Sequence, residues 1–182
     1  MEIRDLKPKN PVLTTDRLTL RPFEEGDREA MVALLCNEEI KETFMIPDFA
    51  SRAEADTLFD KLSAFSRSDA HFDYAVCLGD TLVGFLDDCG GEDDSVELGY
   101  VIDPRYRGRG YAPEALRAAI EELFRMGCPC VTAGYFEEND ASRRVMEKCG
   151  MVPTDEEEII SYRGRDHRCL YREIRKPDKP EG

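Results

Sequence analysis

Three arginines and two glycines crowd into twelve residues, Pro104-Arg105-Tyr106-Arg107-Gly108-Arg109-Gly110-Tyr111-Ala112-Pro113-Glu114-Ala115, and this is the stretch of the chain best suited to chemistry. An apolar run from Val96 to Ile102 precedes it. After it, Ala112, Ala115, Leu116, Ala119, Ile120, Leu123 and Phe124 recur at the spacing of one helical face, so the order is strand, glycine loop, helix. Amides left free at a helix start attract phosphate, and glycines let the backbone approach it without a Cβ in the way. The residues therefore point to a cofactor containing a pyrophosphate, held by main-chain amides from Arg107 to Tyr111, with Arg105 and Arg107 or Arg109 adding charge. The competing reading of the arginines is a surface cluster that offsets an acidic chain.

The elements that must position this loop can be read in chain order. Residues 1 to about 13 are polar and predict a loose arm. Arg17 to Phe23 alternates and ends near Pro22, predicting a first strand. Gly26-Asp27 offers a turn and a cap for a helix with Ala30, Met31, Leu34 and Leu35 as its stripe. Ser51, with Glu54 at capping-box spacing, opens a second helix carrying Ala55, Leu58, Phe59 and Leu62. The apolar loop between the helices, Glu42 to Ala50, is either buried packing or the wall of a substrate pocket. Phe72–Leu78 and Thr81–Leu86 predict an antiparallel pair joined at Gly79-Asp80. The acidic run from Asp87 to Asp94 reads as a solvated turn, with cation binding as the lesser alternative. Gly127 caps the helix that follows the glycine loop, and the next strand, Cys130 to Tyr135, should lie parallel to its predecessor because a helix separates them. Asn139 to Ser142 opens a short helix with Val145, Met146 and Cys149 inward, and strands near Glu158–Tyr162 and Arg168–Ile174 finish the chain. No internal repeat or linker interrupts the 182 residues, so one mixed α/β domain is expected, with its core at about residues 12–175.

Composition narrows the partners. A net charge of -14 argues against nucleic acid and anionic membrane surfaces and fits a cationic or amine-bearing partner. The seven cysteines form no CxxC pair and predict reduced thiols, and no stretch is apolar enough to span a membrane, so a cytoplasmic protein is expected. Neither histidine, His71 or His167, has neighbours in sequence at metal-ligand spacing, and no metal is expected. A P-loop would need Gly-Lys-Ser/Thr after its glycines. A dinucleotide fingerprint would need a third glycine and an initial βαβ unit; both are lacking.

Arg105-x-x-Gly108-x-Gly110 resembles the phosphate-binding motif of the GNAT acetyltransferase superfamily. Three more segments match in order. Thr15 to Pro22 is similar to the first strand of its RimJ/RimL-like branch, Glu97-Leu98-Gly99-Tyr100-Val101-Ile102 to its fourth strand, and Asn139 to Gly150 to the Asn-x-x-Ser segment that flanks the cofactor arm. The resemblance covers residues 12 to 175. It implies a GNAT fold, a mostly antiparallel sheet of six to seven strands with a parallel splay between the family's fourth and fifth strands and about four helices. It also implies acetyl-CoA as cosubstrate.

Further site residues follow from the resemblance. Main-chain groups of Tyr100, Val101 and Ile102 would bind the pantetheine arm and polarise the thioester carbonyl, and Asn139 would anchor the arm or the acyl carbonyl. Glu97 is the candidate base, against the alternative of an ordinary half-exposed strand carboxylate. Many family members reprotonate the thiolate with a tyrosine at the position held here by Met146; Ser142 is the substitute donor, or else only a helix-start hydrogen bond. Freeing a lysine amine at pH 7 costs roughly 4.6 kcal/mol and an α-amine about 1, so an α-amine acceptor needs less help from a base. The expected activity is direct N-acetylation of the α-amine of a protein or peptide by a monomer or homodimer. The alternatives are a small-molecule amine acetyltransferase, for an antibiotic or polyamine, and a non-catalytic acyl-CoA sensor.

Overall fold

The computed structural model describes residues 1–92 and 94–177. Eight strands form one sheet: β1 (Leu13–Thr14), β2 (Thr19–Arg21), β3 (Tyr74–Leu78), β4 (Thr81–Gly90), β5 (Ser95–Ile102), β6 (Cys130–Phe136), β7 (Val152–Tyr162) and β8 (Arg165–Arg175). Their spatial order is β1-β2-β3-β4-β5-β6-β8-β7, and every neighbouring pair is antiparallel except β5 and β6. The helices are α1 (Arg28–Leu35), α2 (Glu38–Lys41), α3 (Arg52–Arg67), α4 (Tyr111–Met126) and α5 (Asp140–Lys148). The expected mixed α/β architecture and parallel pair are thus present, with one strand more than foreseen at the edge and one short extra helix, α2.

The sheet separates two cores because side chains alternate along each strand. Val96, Leu98 and Ile102 of β5 pack with Leu116, Ile120 and Leu123 of α4, whereas Val101 packs on the other face with Phe85, Phe23, Met31 and Phe59 under α1 and α3. Helix α4 ends at Gly127, in the left-handed region at φ 108°, whose amide closes on the Leu123 carbonyl at 3.1 Å. Helix α3 begins after Ser51 as expected, but the serine side chain caps nothing; Glu54 instead accepts from the Ala50 amide at 2.8 Å.

Two expectations are corrected. Residues 1–13 are no loose arm, for Ile3 is buried, the Lys7 amide donates to the Met126 carbonyl at 3.0 Å, and Tyr74 donates to the Asn10 carbonyl at 2.5 Å. The acidic run is not a wholly solvated turn. β4 continues through it, pairing Asp87 with Gly99, Asp88 with Leu98 and Gly90 with Glu97. Asp93 and the tail from 178 lie outside the described residues.

Candidate active site

The site begins where β5 and β6 part. Their parallel ladder holds Ser95 with Cys130, Val96 with Val131 and Glu97 with Thr132, and then stops. On its other side β5 stays paired with β4 as far as Asp103, whose amide donates to the Val83 carbonyl at 2.8 Å. In an antiparallel ladder, main-chain groups of alternate residues face opposite edges. Those of Gly99, Val101 and Asp103 therefore serve β4, while Leu98, Tyr100 and Ile102 turn theirs toward the split. The Ile102 carbonyl accepts from Arg107 Nε at 3.3 Å. Of the three main-chain positions expected to bind a ligand, Tyr100 and Ile102 face the gap, and Val101 is committed to the sheet.

A cavity of about 510 Å³ follows this split. Its walls include Phe44, Gly99, Tyr100, Gly108, Ser142 and Gly134, so it reaches from the apolar loop to the ends of α4 and α5. At the α4 end, Gly108 and Gly110 take φ of 74° and 82°, conformations that cost an L-residue about 1–2 kcal/mol. They turn the chain so that the amides of Gly108 through Ala112 donate to no protein acceptor among the described residues. The Arg107 amide is already spent on the Pro104 carbonyl at 3.3 Å. Free main-chain amides at the start of a 16-residue helix are an arrangement that suits an anion.

The arginines divide. Arg105 grips Asp103, with Nη2 2.7 Å from Oδ2, and thereby holds that carboxyl below the usual carboxylate range; its side chain is 79% exposed and lies outside the cavity wall. Arg107 lines the cavity and pairs with Glu39 of α2 at 2.7 Å. Arg109 lies over the Tyr106 ring, 5.7 Å from its centre. A fourth arginine, Arg17, does what sequence reading did not foresee. Its main chain and Nε both donate to Glu114, at 2.9 and 2.7 Å, its Nη1 donates to the Arg109 carbonyl at 2.8 Å, and its guanidinium covers the Tyr111 ring at 4.6 Å. The bend just before β2 thus braces the glycine loop.

At the α5 end, Asn139 caps the helix by accepting from the Ser142 amide at 3.1 Å. The Ser142 hydroxyl stands 2.8 Å from the Tyr100 hydroxyl, which also reaches the Ser142 carbonyl at 3.2 Å. Burial raises the Tyr100 phenol above its ordinary pKa, opposed by its hydrogen bond to Ser142. Met146 is 0% exposed and belongs to the core, not to the cavity wall. The hydroxyl in the cleft comes from a strand instead.

The opposite end is acidic. Glu97 of β5 lays its side chain against β6, its Oε1 3.3 Å from where a Cβ on Gly134 would stand. Burial raises its pKa, and Glu158 and Glu156 add to the rise. Glu97 is not itself part of the cavity wall; it stands at the last paired rung before the split. Phe44 closes this end, its ring set edge-on to Phe85 at 5.5 Å, while Ile46 is buried and Met45 is 53% exposed. The apolar loop therefore does both jobs left open by the sequence, packing through Ile46 and walling the cleft through Phe44. The Tyr162 hydroxyl pins it, donating to the Phe44 carbonyl at 3.2 Å and accepting from the Ile46 amide at 3.3 Å.

The histidines lie apart from the cavity wall. His167 is buried, stacked on Phe136 and bonded to Glu138 at 2.7 Å. His71 stacks on Phe65 and, contrary to its isolation in sequence, has Asp73 and Asp88 beside it, the three offering ligand atoms within 4.8 Å of one another. Lys9 reaches the same corner, donating to the His71 carbonyl at 2.5 Å. The seven cysteines are free thiols, and among the described residues no helix is long and apolar enough to cross a membrane.

Comparison with known proteins places this geometry. YnaD of Bacillus subtilis (strain 168), an uncharacterized N-acetyltransferase, is 31% identical over 146 residues, covering 76% of this chain and 81% of YnaD. A GNAT-family acetyltransferase of Bacillus anthracis superposes with a TM-score of 0.78 at 25% identity, covering 90% of this chain and 98% of that one. RimL, described as a ribosomal L7/L12 α-N-protein acetyltransferase in complex with coenzyme A, superposes equally well, at TM-score 0.78 and 16% identity, over 90% of this chain and 97% of its own. The model of the acetyltransferase (GNAT) domain matches residues 17–152, from the bracing arginine through the glycine loop to the first residue of β7, and the chain belongs to that family of acetyltransferases.

Proposed function

We propose that this acetyltransferase moves an acetyl group directly from acetyl-CoA to the α-amine of a protein or peptide. The observation that carries the reading is the split between β5 and β6, along which one continuous cavity runs from the free amides at the start of α4 to Phe44, with Glu97 at the last paired rung behind its wall. Gly108, Gly110 and the free amides to Ala112 suit a pyrophosphate. The unpaired edge at Tyr100 and Ile102 suits an amide-bearing arm, and Asn139 stands beside it. Bound acetyl-CoA supplies an activated thioester.

The residues around it supply the rest. Glu97, its pKa raised by burial, is the proton acceptor for the incoming ammonium, directly or through a water. The new carbon–nitrogen bond replaces the carbon–sulfur bond, and a thiolate leaves. A thiol of pKa near 8.5 leaves as thiolate at pH 7 for about 2 kcal/mol, so full protonation is unnecessary. The Tyr100–Ser142 pair provides what remains. With Tyr100 donating to Ser142, the serine proton is free to stabilise the sulfur, and a phenol pushed upward serves as a hydrogen-bond donor rather than an acid. The shared fold with RimL supports the α-amine as acceptor, as does the smaller cost of freeing it.

The test is release of CoA thiol from acetyl-CoA across a panel of free-amine peptides, lysine-side-chain amines, polyamines and aminoglycosides. Release with peptides of free N-terminus and none with their N-acetylated forms is the expected result. Release confined to the small amines overturns the acceptor class, and binding of CoA without release from any amine overturns catalysis.

A further inference from the structure

The glycines that free the loop also leave it undirected. Gly108 and Gly110 sit at φ 74° and 82°, where glycine moves without strain, so no side chain of their own decides which way the peptide between Arg109 and Gly110 faces. Arg17 decides it. Its Nη1 donates to the Arg109 carbonyl at 2.8 Å, and because the peptide unit is planar and trans, a carbonyl held toward Arg17 turns the Gly110 N–H the opposite way. Gly110 lines the cavity, Arg17 does not, and the Gly110 amide donates to no acceptor among the described residues. The guanidinium has little room to do otherwise. It lies over the Tyr111 ring, and a Cβ on Gly110 would stand 3.2 Å from its Nη2.

The same side chain meets a charge at the helix start. Glu114 stands in the first turn of α4, beside the amides that suit an anion. Burial pushes its carboxyl up, but hydrogen bonds from the Thr15 hydroxyl and from the main chain and side chain of Arg17 outweigh that and hold it below the usual carboxylate range. It is therefore ionised at neutral pH. A carboxylate in a first turn favours the helix, yet it repels a second anion placed at the same end. Arg17 Nε and Nη2 meet Glu114 Oε2 at 2.7 and 2.6 Å, which offsets that charge before any ligand arrives. Thr15 fastens the other oxygen, donating to Oε1 at 2.7 Å.

We propose that Arg17 is the positioning residue of the cofactor site: without touching the ligand, it aims the Gly110 amide and cancels Glu114, so that the α4 end can take the pyrophosphate of acetyl-CoA. The inference rests on the reading of the glycine loop as the anion site and deepens it. It assigns CoA affinity to a residue 92 positions before the loop carbonyl that it holds. A loop rich in glycine binds tightly only while its amides are already arranged, since ordering them at the moment of binding would be subtracted from the affinity.

Calorimetric titration with CoA and with pantetheine, which lacks the phosphates, tests this without turnover. Arg17→Ala should weaken CoA about tenfold and pantetheine less than about twofold, so that the ratio of the two affinities falls; a general loss of fold would weaken both alike. Arg17→Lys, which keeps the charge without the planar fork, should weaken CoA about threefold. Adding Glu114→Gln to Arg17→Ala removes the uncancelled carboxylate and should restore CoA affinity by about threefold. CoA affinity in Arg17→Ala within about twofold of wild type, equal weakening of both ligands, or a double variant that binds CoA no better than Arg17→Ala overturns the inference. Gly110→Val separates it from the reading beneath it. Wild-type CoA affinity in that variant removes the glycine loop as the anion site, whereas weakening there with Arg17→Ala unaffected removes the role of Arg17 alone.

Discussion

The two ends of the cleft are built from different materials. The α4 end is main chain: glycines at 108 and 110, amides without acceptors, and a helix start, with side chains serving only as braces. The acidic end is side chain: Asp87, Glu97 and Phe44 laid against bare backbone at Gly99 and Gly134. A main-chain cradle recognises what every CoA ester shares and tolerates change around it. A side-chain wall can be rewritten one residue at a time, and under the proposed function that is where acceptor choice would reside.

The most severe way to break this contrast is to damage the main chain itself. Gly110→Val forces a β-branched residue to φ 82° and places its Cβ 3.2 Å from Arg17 Nη2. CoA affinity should fall by about tenfold or more, since strain of 1–2 kcal/mol falls on the loop that binds, and a titration of CoA that gives the wild-type Kd rejects the cradle.

A middle-sized effect belongs to the acidic end. Asp73 is 2% exposed, its Oδ2 has no partner among the described residues, and burial, then Asp87 and Asp88, lifts it to about 8 against an opposing pull from Lys9. A carboxyl raised above its unfolded value keeps its proton when folded and sheds it when unfolded, so stability is lost as pH rises from about 4 through 8. Between pH 5 and 9 the wild type should lose about 3–4 kcal/mol from this source, and Asp73→Asn should lose less. Urea midpoints at the two pH values measure it. Parallel losses in both proteins would mean that Asp73 is already ionised in the fold.

The smallest effect sharpens the contrast from the other side. Arg105, although it stands first in the glycine motif, is spent on Asp103 and lies outside the cavity wall. Arg105→Ala should change CoA affinity by less than about threefold, as exposed ion pairs usually do. A larger loss, seen in the same titration, would show that the arginine leaves Asp103 to meet the ligand.

The same contrast explains what could be read from the amino-acid sequence. Gly108, Gly110 and the stripe from Ala112 to Leu123 announce a strand, a loop and a helix because positive φ and helical spacing leave marks in local sequence. Gly127 and Gly79-Asp80 do so as well. The acidic end leaves no such mark. Asp87 reads as part of a polar turn, since a run of Asp, Gly and Glu ordinarily ends a strand, and only the pairing of Asp87 with Gly99 carries it into the sheet. Its position two residues beyond Phe85, on the same face, was the one local hint. β7 begins at Val152, earlier than expected, because its first half is exposed and charged and shows no apolar alternation. Arg17 was expected to open the first strand, whereas it lies in the bend before β2, and its role as a brace was not legible because its partner Glu114 lies 97 positions away.

That separation bears on how the protein comes to be folded. Contacts within a single helix such as α4 form quickly, while a pairing across 97 residues closes slowly. Arg17 leaves the ribosome long before Glu114 does and must wait for it. Since Arg17 also holds the Arg109 carbonyl, the glycine loop reaches its final shape only when the first and middle thirds of the chain have met. A cofactor that prefers the finished loop would then act as a late folding aid, drawing off the completed protein by mass action and tightening the N-terminal strand it never touches.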